Sequence, residues 1–465
     1  GNCPSISDWK IDWAGGITVS GTIAEYDQAT AVTSGTVAVA VNGVLQTGKT
    51  GTVGGGTWSI SNVTAFPGDV VSVFVTSAPD ANEAVGVTRY DGQGDIDGMV
   101  LYERHLTLGS NDATTTPLTD ADIGLYDFTN TEDVFFDLSG STLSLCAGGG
   151  CTDVELHILA DTYYTPGGRF VTHDFENNGI FVAGSYTHEV NGSWDNNATT
   201  TLTGSTVVFS ATSTSETIDN TGAVNTTFAN LTFGTTTGSG AWTPLTALDV
   251  DGNLSVNRGT LARGTTAITV AGNVVTGVSG FWTGIGTTTF DGNTASTWND
   301  QNVVKQNVGH VVVDGTSKIV TLAGTVTAES ITIGANDTLD ASTSNFDITV
   351  YGRWNNQNNF VSRSGEVRFA ATSSTHAITT AGDAFYDLTF NGSGGSWSFT
   401  EPTLHASNDV QVTAGTVTLP TATTTVGGSF LVTSGTFAHN NGTLYFTSNA
   451  AETLTFAGGT FTNVA

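Results

Sequence analysis

Residues 382–399 decide the fold, and they read GDAFYDLTFNGSGGSWSF: a short apolar strand, a turn of glycine and polar residues, and a second apolar strand. The same pattern occurs in residues 228–242 and, more weakly, in residues 310–320. A partial copy occupies residues 461–464. A strand–turn–strand unit that recurs in this way indicates a repeat architecture, because one unit cannot bury its apolar face without its neighbours.

Five columns of equivalent positions keep a spacing of about 76 to 81 residues along the chain. One column contains Leu231, Val311, Leu388 and Val464. Within one repeat, apolar anchors recur about every 16 to 23 residues, which suits roughly four coils with two or three short strands each. The sequence therefore predicts a parallel β-solenoid (β-helix) over residues 185–465, with an incomplete last repeat. The alternative is a string of β-sandwiches of about 80 residues each, which requires hairpin turns about every 8–12 residues.

The composition is typical of an all-β protein. Glycine accounts for 58 of the 465 residues, and there is a single methionine. No stretch shows the period of about 3.6 residues of an amphipathic helix, and no apolar run approaches the roughly 20 residues that span a membrane. The formal net charge of −30 disfavours nucleic acid as a partner, because phosphate backbones are repelled. The same charge attracts cations, or it only keeps a β-rich protein soluble.

Residues 1–13 are predicted to form an amphipathic strand. Trp9, Ile11 and Trp13 alternate with charged residues, and this period of two gives one large apolar face. The segment is either the first strand of its own domain or a strand that adds to the sheet of a neighbouring subunit.

Residues 14–108 contain about seven short strands separated by turn signals, which is typical of an immunoglobulin-like β-sandwich. One of these signals is Asn42-Gly43, the commonest dipeptide of a tight hairpin turn. Residues 109–133 are interpreted as a linker, and residues 134–184 as the entry and cap of the solenoid.

One candidate metal site is present in the sequence. Asp91, Asp95 and Asp97 alternate along one turn with a spacing that suits a calcium loop. A plain acidic turn is the alternative, because the distal glutamate of an EF-hand is missing. No other cofactor is expected.

The three cysteines bear on whether the protein is located in an oxidising compartment. Cys146 and Cys151 have the spacing to close a small loop as a disulfide, which requires an oxidising, extracellular setting. Cys3 is left over, and it is either an incidental thiol or a cysteine that bonds a neighbouring molecule.

The sequence contains no recognisable catalytic motif. The few arginines of the repeat region, which a polysaccharide lyase needs to neutralise a uronate, stand beside no convincing acidic cluster. Histidines such as His173 and His188 have no metal-ligand spacing and are expected at the surface. Tryptophans can stack on sugars, but Trp194 and Trp354 share a column with Val274, which predicts a core position for them.

Residues 365–369, 385–393 and 434–443 resemble the repeats of very large bacterial surface proteins. More loosely, they are similar to autotransporter passengers and filamentous-haemagglutinin-type adhesins. The resemblance covers about residues 160–465, and it implies a secreted β-solenoid with a structural or adhesive role. An N-terminal immunoglobulin-like module is common in such proteins.

We therefore expect a non-enzymatic protein of the cell surface that assembles head to tail with itself into a filament or surface layer. The candidate assembly residues are Trp9, Ile11 and Trp13 at one end and Phe461 and Val464 in the interrupted repeat at the other, unless the natural chain continues with more repeats. The second hypothesis is an adhesin that binds glycans or other cell surfaces. The third is a polysaccharide-degrading β-helix enzyme.

Overall fold

The computed structural model describes residues 16–77, 82–112, 115–145, 153–224, 227–235 and 239–456. Within these ranges the protein is almost wholly β, and none of its helical segments there has the length and apolarity to cross a membrane. The chain divides into two units. Unit 1 comprises residues 1–201 and 222–225, and unit 2 comprises residues 202–221 and 226–465.

Unit 1 begins with eight strands: β1 (Ile17–Ala24), β2 (Ser34–Val41), β3 (Val44–Gly54), β4 (Thr57–Val63), β5 (Val70–Val75), β6 (Val85–Arg89), β7 (Ile96–Tyr102) and β8 (His105–Leu108). Most neighbours are antiparallel, whereas β1 runs parallel to β7 and β6 runs parallel to β8. The predicted hairpin joins β2 to β3 at Asn42-Gly43, where both residues have positive φ, as a type I′ turn requires. Alternating valines and Trp58 fill one buried core.

The remaining elements of unit 1 are α1 (Asp120–Ile123), β9 (Asp137–Ser139), β10 (Thr142–Ser144), β11 (Glu155–Ile158), β12 (Tyr163–Tyr164), β13 (Arg169–Thr172), β14 (Asp174–Asn177), β15 (Ile180–Val182), β16 (Thr187–Val190), β17 (Trp194–Asn196) and β18 (Thr199–Thr201). Three parallel ladders run through them: β8–β11–β14–β17, β10–β13–β16 and β12–β15–β18. A complete coil, such as β11 with β12 and β13, supplies one strand to each ladder. Stacked aromatic rings such as Phe175 on Trp194 fill the interior. The segment predicted as a linker contains α1, whose Ile123 is buried.

Unit 2 continues with short strands throughout. They are β19 (Thr206–Phe209), β20 (Glu216–Asp219), β21 (Thr227–Phe228), β22 (Asn230–Phe233), β23 (Ala241–Pro244), β24 (Leu248–Val250), β25 (Leu254–Gly264), β26 (Ile268–Val270), β27 (Val274–Gly284), β28 (Thr287–Phe290), β29 (Ser296–Asp300), β30 (His310–Val313), β31 (Ile319–Leu322), β32 (Val326–Ala328), β33 (Ser330–Ile333), β34 (Thr338–Asp340), β35 (Ile348–Val350), β36 (Trp354–Asn356), β37 (Asn359–Val361), β38 (Glu366–Phe369), β39 (Thr375–Thr379), β40 (Asp387–Phe399), β41 (Thr403–Ala406), β42 (Val410–Thr418), β43 (Thr423–Val426), β44 (Phe430–Val432), β45 (Thr436–Ala438), β46 (Thr443–Phe446) and β47 (Leu454–Phe456).

The strands of unit 2 pair in parallel, one coil above the next. In one ladder Leu231, Leu254, Val274 and Trp298 pair in succession, between 20 and 24 residues apart in the sequence, and all four are buried. Inward apolar and outward polar residues alternate, because successive side chains of a strand point to opposite faces. These pairings confirm the parallel β-solenoid and overturn the string of sandwiches. The repeat of about 76 to 81 residues stays a prediction, because the ladders join positions one coil apart.

Candidate functional site

Most of the sequence-predicted site residues lie outside the described residues. They are the assembly candidates Trp9, Ile11, Trp13, Phe461 and Val464 and the cysteines Cys3, Cys146 and Cys151. Their roles in assembly and in disulfide bonding stay predictions.

The aspartates of the predicted calcium loop bind the backbone and side chains of nearby strands. Asp95 accepts a hydrogen bond from the backbone N–H of Thr18 at 2.7 Å, and Asp97 accepts one from the hydroxyl of Ser20 at 2.8 Å. Asp91 accepts one at 2.6 Å from a backbone N–H within the loop itself. These bonds fasten the loop to β1. Calcium binding by the three carboxylates stays a prediction.

A different group of side chains converges in unit 1. Among the described residues, His105, Glu155 and His157 each bring one potential ligand atom within 4.8 Å of the others, and all three side chains are buried. We call them the His–Glu cluster. His105 opens β8 and pairs with Glu155 in β11, the parallel neighbour of β8. Glu155 and His157 share one face of β11, because side chains two apart on a strand point the same way.

The distances within the cluster are short. Nε2 of His105 lies 3.1 Å from Oε2 of Glu155, and Nδ1 of His157 lies 3.8 Å from Oε1 of the same carboxyl group. Glu176 stands beside His157 on the next strand, β14, and its Oε2 lies 3.5 Å from Nδ1 of His157. The parallel register of β8, β11 and β14 therefore places two imidazoles between two carboxyl groups.

Residues from the N-terminal strands cover this face. Nε2 of Gln28 donates to Oε2 of Glu176 at 3.0 Å and lies 3.4 Å from Nε2 of His105. The ring of Tyr26 lies 5.2 Å from that of His105, and the ring of Tyr102 is stacked 5.6 Å from that of His157. The cover keeps the cluster away from solvent.

Burial dominates the electrostatics of the cluster. It raises the pKa of Glu155 to about 7, although hydrogen bonding and charge interaction with His105 oppose the rise. It lowers the pKa of His157 to about 4, because a charged imidazole is costly away from water. Burial also acts to raise the pKa of Glu176, but the interaction with His157 and hydrogen bonds from neighbouring amides leave that pKa below its ordinary value. The lowered pKa therefore favours the neutral imidazole of His157 at neutral pH.

Hydrogen bonds to the other ring nitrogens orient the rings. Nδ1 of His105 donates to the carbonyl of Glu103 at 2.7 Å, which orients the ring with Nε2 toward Glu155. Nε2 of His157 lies 3.0 Å from the side-chain amide of Asn178. The same amide nitrogen donates to Oε1 of Glu176 at 2.6 Å, which holds the amide with its N–H groups toward both His157 and Glu176. Two imidazoles and a carboxylate form a donor set that first-row transition metals bind.

The expected surface position of the histidines is wrong for three of them, His105, His157 and His188. His188 is buried with its ring stacked 4.4 Å from Phe170 and its Nε2 3.0 Å from the carbonyl of Ala183. A neutral imidazole is buried without penalty when backbone groups satisfy its nitrogens.

The tryptophans behave as predicted, because every tryptophan in the described ranges is buried, Trp194 and Trp354 included. One signal for the His–Glu cluster is present in the sequence, the Glu-x-His spacing of residues 155–157.

No protein-family profile matches the chain, and neither a curated protein nor a solved structure was found that is similar to it.

Proposed function

We propose that the protein is a non-enzymatic structural protein of the bacterial cell exterior, a subunit of a filament or surface layer. The observation that carries this proposal is the coil-on-coil stacking of unit 2. In its longest ladders each strand hydrogen-bonds to a strand on either side, and buried columns such as Val326, Ile348, Val367 and Leu388 run from coil to coil. A stack of this kind is typical of a long, stiff structural protein rather than of an enzyme with a mobile active site.

The same stacking suits self-assembly. A coil that no further coil covers has a strand edge of the same parallel geometry, so a strand from a second copy can pair with that edge by strand addition. A contact of this type joins two different surfaces, and repeated head-to-tail contacts give open polymers. The N-terminal segment with Trp9, Ile11 and Trp13 is the strand that we propose is donated, because its apolar face needs burial.

Three of the five arginines of unit 2 favour the structural role over a polysaccharide lyase. Arg263 is buried, and its guanidinium donates to the carbonyls of Gly286 and Val308. Arg363 is paired with Asp340 at 2.7 Å, and Arg368 is paired with Glu366 at 2.8 Å. These three cations are therefore engaged within the protein, whereas a lyase needs cations that face its substrate. The buried tryptophans likewise favour the structural role over sugar binding by aromatic stacking.

We further propose that β1–β7 are an immunoglobulin-like module. Its support is a set of antiparallel pairs around one core, combined with a first strand that runs parallel to the last, β7. In a surface protein such a module presents or caps the solenoid that follows it in the chain.

The triple variant Trp9→Ser, Ile11→Ser, Trp13→Ser is expected to abolish polymers that the unmodified chain forms, because the donated strand loses its apolar face. The measurement is negative-stain electron microscopy together with light scattering, with and without a calcium chelator. The matched control is Lys10→Ser, Asp12→Ser, which alters the opposite face of the same segment and is expected to leave polymers intact.

Polymers that persist in the triple variant would eliminate the donated strand. A chain that stays monomeric at every concentration tested, and that binds specific sugars on a glycan array, would replace the filament proposal with the adhesin. Turnover of a polysaccharide that is lost on an arginine or aspartate substitution would replace it with the enzyme.

A further inference from the structure

Two atoms of the His–Glu cluster lack the partners that buried polar atoms normally have. Oε1 of Glu155 and Nδ1 of His157 are buried and accept or donate no hydrogen bond. Glu155 is 8% exposed and His157 is 3% exposed. Buried polar atoms without a partner are rare and costly, and an ion bound between them is a common reason for their presence. Both atoms point into the same space, 3.8 Å apart.

We propose that His105, Glu155 and His157 bind a divalent first-row transition metal, of which zinc is the representative, and that this metal fastens the N-terminal strands of unit 1 to its first coils. The proposal is independent of filament formation.

The geometry fits a metal after small side-chain movements. Four ligands at bonds of about 2.0–2.1 Å in a tetrahedron stand about 3.3 Å from one another. The separation of Nε2 of His105 from Oε2 of Glu155 is 3.1 Å, and that of Nδ1 of His157 from Oε1 is 3.8 Å. Glu176 lies outside this group of three, but its Oε2 is 3.5 Å from Nδ1 of His157, and a movement of its side chain would make it the fourth ligand. Four protein ligands would make a closed set, which is typical of a structural rather than a catalytic zinc site.

The donor types select the class of metal. Imidazole suits zinc, copper, iron and nickel, whereas magnesium and calcium prefer oxygen ligands alone. The hydrogen bond from Nδ1 of His105 to the carbonyl of Glu103 fixes the ring with Nε2 toward the site. This is the outer-shell arrangement that commonly orients a metal-binding histidine.

The position of the cluster explains what a metal would stabilise. His105 follows the N-terminal strands in the chain, Glu155 and His157 belong to the next strand of its ladder, and Gln28 reaches the site from the loop after β1. One ion on these three ligands would therefore join β8 to β11, and Gln28 would connect the loop after β1 to the same site. Tyr26 and Tyr102 shield the site from solvent, which suits a structural metal site and leaves little room for a substrate.

The test uses the full-length chain, stripped of metal with a chelator and then titrated with zinc chloride. We expect one equivalent of zinc per chain by calorimetry and by elemental analysis, and a rise of several degrees in Tm for the unfolding of unit 1. Cobalt in place of zinc is expected to give the intense visible bands of a tetrahedral site. Magnesium is expected to cause neither effect.

Two variants probe the ligands, His157→Gln and the isosteric Glu155→Gln. Each is expected to reduce zinc binding from one equivalent to background and to remove the zinc-dependent shift in Tm. His405→Gln, which alters an exposed histidine of unit 2, is the matched control and is expected to bind zinc as the unmodified chain does. Circular dichroism of the metal-free variants verifies that they fold.

The proposal is overturned if the folded, unmodified chain binds no zinc, or if a folded variant still binds one equivalent. A variant that does not fold is replaced by His105→Gln, which is judged by the same criterion. A Tm shift that magnesium or calcium reproduces would also overturn it, because the effect would then come from the acidic surface.

Discussion

Trp354→Ala is expected to lower the free energy of unfolding of unit 2 by about 3–5 kcal/mol, the usual cost of truncating a fully buried tryptophan. Trp354 in β36 is 1% exposed. Its ring packs against those of Phe360, Phe369 and Phe385, with centroids 4.8, 6.3 and 5.5 Å away. Hydrogen bonds to β33 and β39 hold the backbone on both sides, so the surrounding coils cannot collapse into the cavity.

Denaturant unfolding measures the loss, and hydrogen exchange locates it. Because each coil contacts only its neighbours, we expect faster amide exchange in β33, β36 and β39 and little change several coils away. The matched control is Asn355→Ala on the same strand, whose side chain points away from the core and is expected to cost no more than about 0.5 kcal/mol. Equal losses for the two substitutions would contradict the inward position of Trp354.

Asp120→Asn is expected to stabilise unit 1 more at pH 8 than at pH 5, by a difference on the order of 1–3 kcal/mol. Asp120 is 3% exposed, and burial raises its pKa to about 7, although the hydrogen bond from the hydroxyl of Tyr164 at 2.5 Å acts in the opposite direction. A carboxyl group whose pKa is raised by folding favours the folded state fully below its unfolded pKa of about 3.8. The carboxyl group of Asp120 loses this stabilisation as the pH rises toward 7. The side chain in Asp120→Asn is neutral at every pH, so the variant keeps it.

The measurement is chemical denaturation of both proteins at the two pH values. Asp161→Asn makes the same chemical change at an exposed position of the same unit, and it is expected to alter stability little at either pH. A variant that is destabilised more at pH 8 than at pH 5 would show that Asp120 is stabilised as a carboxylate by its position in the first turn of α1.

The solenoid could be predicted because its signal is local and repeated. Leu231, Leu254 and Val274 recur at the length of one coil, and the alternation of apolar with polar residues assigns their faces without knowledge of any distant contact. The burial of Trp194 and Trp354 followed from the longer spacing of about 80 residues, because Val274 occupies the equivalent position.

The His–Glu cluster could not be predicted in the same way. His105 and Glu155 are far apart in the sequence, and they meet because β8 pairs with β11 in one particular register. Register depends on the packing of the whole coil rather than on the residues of either strand alone. The Glu-x-His spacing of residues 155–157 indicates only that two polar side chains share a face. Their burial comes from Tyr26, Gln28 and Tyr102, whose approach no local pattern encodes.

The in-register columns of unit 2 have a consequence for how such a gene can change. Ile348, Val367 and Leu388 occupy equivalent places in three successive coils. Duplication or loss of one whole coil would put another apolar residue of the same kind against the remaining neighbours. A single inserted residue within a strand would instead turn its inward side chains outward. Coding sequence can therefore be gained or lost in steps of one coil. Natural selection can change the number of coils in this way without a change in how the core residues pack.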